Sequence, residues 1–206
     1  MTYDHLFIVT AFTNFYHDVR DLERKKELLQ TVQSIRHKVP NVFILVNEGS
    51  NCQHTSSQEL EADEVWYTNV VGWSKSHGDH WLWFSVFSSE WFNTFSREHN
   101  IQTVTKISGR YCLLPSFDWE NEPLETHLAC VLDDRACTVT YFFRFHHSYF
   151  PHVLQQCTKI NEVVKHAHGD IEHLMYQYNV FTSKDSTTKP IGVGGMCAGD
   201  GKYHEK

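Results

Sequence analysis

Positive charge is scarce in this 206-residue chain: 18 lysines and arginines face 25 aspartates and glutamates, a formal charge of −7. A general nucleic-acid binder neutralises phosphate with an excess of Lys and Arg, so no nucleic-acid partner is expected. Long apolar runs are lacking too. No stretch approaches the ~18–20 consecutive apolar residues of a membrane helix, and no membrane span is expected. The opening, MTYDHLFIVTAF, has neither a basic leading segment nor a small-residue cleavage site, and reads as a first strand rather than a secretory signal. Cys52, Cys112, Cys130, Cys137, Cys157 and Cys197 are scattered and form no CxxC pair. That argues against a zinc ribbon and a disulfide framework. Free thiols, a reducing compartment and a cytoplasmic location are expected. Gly, Pro and Ser gather only in short clusters and no internal repeat is visible, so residues 1–206 are read as one domain.

What is present is an ordinary globular balance, 41% hydrophobic and 21% charged, which excludes a disordered chain. Segment 5–12 is a continuous apolar run, as a strand buried on both faces would be. Asp18 and Asp21 then suggest a helix start. Val19, Leu22, Leu29, Val32, Ile35 and Val39 follow near a 3.6-residue period until Pro40. Segment 42–46 is a second buried strand, 65–71 a third and 101–107 a fourth. Between the last two, Trp81, Phe84, Phe87, Trp91 and Phe95 predict one strongly aromatic helix from about Gly78. Segments 126–132 and 136–145 flank an Asp133-Asp134 turn and read as an antiparallel hairpin. A helix from about Pro151 turns Val153, Cys157, Ile160 and Val164 inward. Another, capped by Asp170, does so with Ile171, Leu174, Met175 and Tyr178. From about residue 191 the chain reads as a strand stub and a mobile Gly-rich tail. The expectation is an α/β fold with a central, mostly parallel mixed sheet flanked by helices.

In open α/β sheets, ligands bind beyond the carboxyl ends of the parallel strands. Residues 11–14, 47–50, 71–79 and 108–111 should converge there. Glu48 at a strand end suits a ribose or a base, or stands as a solvated loop carboxylate. Lys75 suits a phosphate near a helix N-terminus. Strand alternation puts Lys106 and Ser108 on one side, Gly109 allows close backbone approach, and Arg110 offers a bidentate fork. Arg110 can equally pair with a carboxylate beneath the sheet. His77 and His80, His146 and His147, and His166 and His168 with His173 have no metal-finger spacing and read as structural or surface residues. Trp66, Trp73 and Trp119 lie in or near loops, where an indole can stack on a sugar ring or a base.

The run TKISGRYCL resembles a segment of small GT-A-type glycosyltransferase-like proteins of bacteria and large DNA viruses. VFILVNEGS, GWSKSHGD, TVTYFFRF followed by GDIEHLMY, and IGVGG extend the resemblance over most of residues 5–195. It implies a single GT-A-like domain moving a sugar from a nucleotide-sugar donor to a glycan or other hydroxyl acceptor. The implied donor site holds Thr10, Ala11, Phe12, Glu48, Lys75, Lys106, Ser108, Gly109, Arg110 and Tyr111. Many GT-A enzymes hold Mn²⁺ or Mg²⁺ on an Asp-x-Asp at this strand end. Here the place is taken by Ser108-Gly109-Arg110, so no metal cofactor is expected. Arg110, helped by Lys106 or Lys75, would neutralise the departing diphosphate. If a metal is nevertheless needed, Asp118 or the Asp133-Asp134 turn is the next place to look. The resemblance puts the base that deprotonates the acceptor at Glu172 first and Asp170 second. Both also have plain structural roles, as a dipole-compensating residue and a helix cap. Two other functions compete. One is a hydrolase with a metal on His166, His168 and Asp170; the other is a GT-A-like domain that binds without catalysis.

Overall fold

Buried strands alternating with helices lay successive strands parallel, because each helical crossover returns the chain to the same edge of the sheet. The computed structural model describes residues 2–13, 18–50, 56–71, 73–119, 128–132, 137–166, 170–181, 186–187, 191–196 and 203–205. The first half runs β1 (His5–Ala11), α1 (Asp18–Lys38), β2 (Val42–Glu48), α2 (Ser57–Leu60), β3 (Glu64–Tyr67), α3 (Lys75–Phe87), α4 (Glu90–His99) and β4 (Thr103–Ser108). The second runs β5 (Tyr111–Leu113), β6 (Leu128–Leu132), β7 (Cys137–His146), a 3₁₀ turn (His147–Tyr149), α5 (Phe150–His166), α6 (Ile171–Gln177), β8 (Ser186–Thr187), β9 (Val193–Met196) and β10 (Tyr203–Glu205).

Seven strands form one sheet in the order β3-β2-β1-β4-β7-β6-β8. β1 pairs in parallel with β2 and β4, β2 with β3, and β6 with β8, while β7 runs antiparallel to β4 and β6. Alternation along the strands splits the core into two layers. Leu6, Ile8 and Val104 face Trp83, Phe87, Phe92, Cys157 and Met175 of the helical layer formed by α3 to α6. Phe7, Val9, Ile44 and Ile107 face Leu28, Val32 and Ile35 of α1. The β6–β7 pair is the expected hairpin, with a bulge between Ala129 and Val131; its Asp133-Asp134 turn lies outside the described residues.

The helices differ from the sequence reading in two places. Among the described side chains of α1, Leu28 rather than Leu29 is buried with Val32 and Ile35, and Leu22 is 57% exposed; the Val19 side chain lies outside them. A 21-residue helix is about 32 Å long, whereas a seven-residue strand such as β1 spans about 23 Å. The short link at 39–41 levels the C-terminal end of α1 with the strand starts. Its first turns therefore overhang the strand ends, where no sheet lies beneath Leu22. The aromatic helix begins at Lys75, earlier than expected, and is two helices. Ser89 breaks it by capping α4, its Oγ accepting from Phe92 N at 3.1 Å. Phe87 and Phe92 meet edge-on across the break, 5.5 Å apart.

The segment from residue 191, read as the start of a mobile tail, is buried over residues 191–195. Ile191 and Val193 are buried, and β9 is the middle strand of a three-stranded antiparallel sheet, β10-β9-β5. Gly195 makes this possible: a Cβ there would lie 2.1 Å from Arg110 O. Cys112 and Cys157 are free thiols, and no helix among the described residues is long and apolar enough to cross a membrane.

Candidate functional site

β1 is the topological switch point. From it the chain first builds outward through β2 and β3, then crosses back to lay β4 on the other side. β1 and β4 stay paired through Thr10 and Ser108, and the candidate crevice is the space beyond their ends, where open α/β sheets bind ligands. Gly109 N donates to Thr10 O at 2.8 Å, closing its floor. The crevice lies between α1 on one face and the start of α3 on the other.

Lys106 is the centre of the site's polar network. It points to the α3 side and is fully buried, so the ammonium needs acceptors inside the protein. Its Nζ donates to Thr140 O at 2.5 Å, Ser108 Oγ at 3.1 Å and Asp79 Oδ1 at 3.5 Å. Three acceptors match its three N–H groups. Burial lowers the Lys106 pKa, opposed by Asp79 and then Glu172, while Arg110 lowers it further. Asp79 also accepts from Thr10 Oγ1 at 3.5 Å. Thr140 carries the network onward, its N and Oγ1 donating to Glu172 Oε1 at 3.3 and 3.2 Å. Glu172 sits in the first turn of α6, where Asp170 is the N-cap and accepts from Glu172 N at 3.1 Å. The other oxygen of Asp170 meets His173 Nδ1 at 3.0 Å.

Arg110 stands at the mouth of the crevice, half-buried. Burial lowers its pKa first and the nearby Arg24 second, while Tyr111, Glu27 and Asp79 oppose this. Its charged neighbours are Arg24 and Glu27 of α1 and Asp79 of α3. Its Nη1 is shut off from solvent and has no hydrogen-bond partner among the described residues. A buried N–H without an acceptor costs about 1–3 kcal/mol.

The other expected donor-site residues have mixed positions. Thr10 and Ala11 are buried at the end of β1, and Phe12 lies against Gly49. Ser108 is partly exposed and Gly109 packs on Leu28. Glu48 is 1% exposed: Thr13 N at 3.0 Å, Thr13 Oγ1 and Ser50 N at 3.2 Å all donate to it. It ties the loops after β1 and β2 together, so neither the solvated reading nor an open ribose ligand describes it here. Tyr111 is buried and stacks on Tyr141 at 4.2 Å. Lys75 opens α3 after the Ser74 cap; its side chain lies outside the described residues. Of the three tryptophans, Trp119 is buried beneath the Arg144 guanidinium at 4.4 Å, and Trp66 donates to Glu64 at 2.6 Å. Trp73, 42% exposed, stands before α3 and stacks on His77 at 4.3 Å.

Among the described residues no three His, Cys, Asp or Glu side chains gather to hold a metal ion. His168 lies outside those residues. Two participants had no role in the sequence reading. Asp79 stood inside a quoted motif, at the position four after Lys75 on a helix that starts at the crevice. Thr140 stood inside the quoted TVTYFFRF run but was assigned no role, since its contribution is mostly backbone. The ensemble defines the class: a Rossmann-like α/β protein with Lys106, Asp79, Thr140 and Glu172 in one polar network at its switch point. No protein-family model and no curated protein matches the chain.

Proposed function

We propose that the protein transfers a sugar from a nucleotide-sugar donor to a hydroxyl acceptor, such as a glycan. The donor's diphosphate lies at the strand ends, against Arg110. As the bond between the sugar's anomeric carbon and the phosphate oxygen breaks, negative charge grows on the leaving diphosphate. A fixed guanidinium in a water-poor crevice stabilises that charge without reorganising. The acceptor oxygen forms the new bond, and Glu172 takes its proton. Thr140 leaves Glu172 in place by bonding only Oε1. Lys106 orders this arrangement from below rather than touching the donor, because it is fully buried.

The observation that carries the reading is the Arg110 guanidinium at the switch point, with a buried Nη1 that lacks an acceptor. The resemblance of TKISGRYCL to GT-A-type proteins supports it. The test is a panel of UDP-, GDP- and TDP-sugars, read by thermal shift and by product formation with EDTA against added Mn²⁺ or Mg²⁺. Turnover of at least one donor that survives EDTA is expected. Activity that vanishes in EDTA and returns with metal would move the diphosphate's counter-charge from Arg110 to a cation. Silence across the panel in both readouts would end the reading.

A further inference from the structure

Arg24 brings a second guanidinium to the crevice. Its height is set by Leu28: a Cβ on Gly109 would lie 2.7 Å from Leu28 Cδ1, so that turn of α1 sits level with the end of β4. Residues four apart share a helix face. Arg24 is therefore one turn further out on the face that meets Gly109, on the part of α1 that overhangs the strand ends. Arg110 follows Gly109 at that level, and Arg24 is among the charges that lower its pKa.

The carboxylates of the site are already bonded elsewhere. Lys106 has Asp79 at 3.5 Å, and Arg24 has Glu27 at 2.7 Å through Nη1. Glu27 and Asp79 reach Arg110 only through space, and no carboxylate bonds it among the described residues. Arg110 keeps a buried donor that has no acceptor among the described residues. A guanidinium fork matches the oxygens of one phosphoryl group. Two forks side by side match two phosphoryl groups joined by a bridging oxygen, and a single phosphate engages only one of them.

We propose that Arg24 and Arg110 together form a diphosphate site in which Arg24 is a direct ligand. The inference rests on the donor reading for where the diphosphate comes from, but the pair of guanidiniums defines the site independently of any sugar chemistry. Inorganic pyrophosphate and inorganic phosphate are titrated into the full chain by calorimetry, with Arg24→Gln, Arg24→Lys and Arg110→Gln alongside. Pyrophosphate should bind at least tenfold more tightly than phosphate. Each glutamine variant should weaken it tenfold or more while still unfolding in a single cooperative transition, and Arg24→Lys should fall between. Should Arg24→Gln fail to fold, Arg24→Lys carries the test, because its point charge cannot restore the fork. Equal affinity for the two anions, or pyrophosphate binding within twofold of the parent in both Arg24 variants, would overturn the proposal. Arg24-dependent pyrophosphate binding with no turnover of any nucleotide-sugar would sink the transferase reading and leave this site standing. Turnover with pyrophosphate affinity indifferent to Arg24 would do the reverse.

Discussion

The ammonium of Lys106 and the carboxylate of Asp79 face each other at 3.5 Å, one fully buried and the other 28% exposed. The pair spans the crevice wall between β4 and α3, so it couples the strand end to the helix that covers it. Removing one member of a fully buried pair costs about 3–5 kcal/mol, because the remaining charge is stranded. Asp79 is partly solvated, so Asp79→Ala should cost less than that, about 2 kcal/mol. Lys106→Met, which removes the buried charge and keeps the volume, should be the milder change. Urea unfolding of both variants checks the order; Lys106→Met as the more damaging one would contradict it.

Arg110→Ala should lower turnover of a responsive donor by about 10²–10³, the scale of one lost transition-state donor. Arg110→Lys should recover only part, since a point charge replaces a planar fork. Steady-state rates at saturating donor measure both. Arg110→Ala with unchanged turnover would remove Arg110 from the mechanism.

Glu172→Gln keeps an oxygen for Thr140 N and Oγ1 but cannot accept a proton. Transfer should be abolished while donor affinity stays within about twofold, a split expected of a group acting on the acceptor. Donor titration beside the transfer assay reads it. Loss of donor binding would make Glu172 a structural residue instead.

His5 and His80 should make the fold acid-sensitive. Burial holds His5 down to about 4 and His80 down to about 3, against an ordinary 6.5. Below 6.5 the unfolded chain takes up protons that the folded one refuses, so stability is fully present above that value. It falls with pH by up to ~1.4 kcal/mol per unit for each histidine, towards the folded values. His80 stacks on Phe84 at 5.2 Å, so His80→Phe keeps an aromatic ring there. Denaturant midpoints at pH 7 and pH 5 should differ less in that variant than in the parent. An unchanged slope would show that His80 is not a source.

Gly195→Ala should be far worse than Gly109→Ala. The new Cβ at 195 meets the Arg110 carbonyl oxygen at 2.1 Å and Tyr111 Cα at 2.8 Å, both backbone atoms that cannot step aside. At 109 it meets the end of the Leu28 side chain, which can rotate away. Overpacking of the first kind costs about 1–3 kcal/mol or more, and it should pry β9 from β5. Thermal midpoints rank the two, and a larger loss at 109 would refute the account.

The periodic features were legible because they are local. Apolar runs gave β1 and β2, the β-branched segment 101–107 gave β4, Pro40 ended α1, and Asp170 marked the start of α6. Parallel strands then imply a crevice at their carboxyl ends, and Ser108-Gly109-Arg110 falls there by sequence position alone. The partners did not follow. Lys106 meets Asp79 across 27 positions and Thr140 across 34, and Thr140 meets Glu172 across 32. No periodicity links residues so far apart; the crossover of α3 and the antiparallel return of β7 bring them together. Arg24 was hidden for a related reason, since helix length against strand length decides which turns of α1 overhang the site. Alternation also placed Lys106 and Ser108 on one side correctly, yet could not say that the ammonium would be buried. That was decided by the backbone carbonyl of Thr140, an acceptor every residue carries and no side-chain pattern announces.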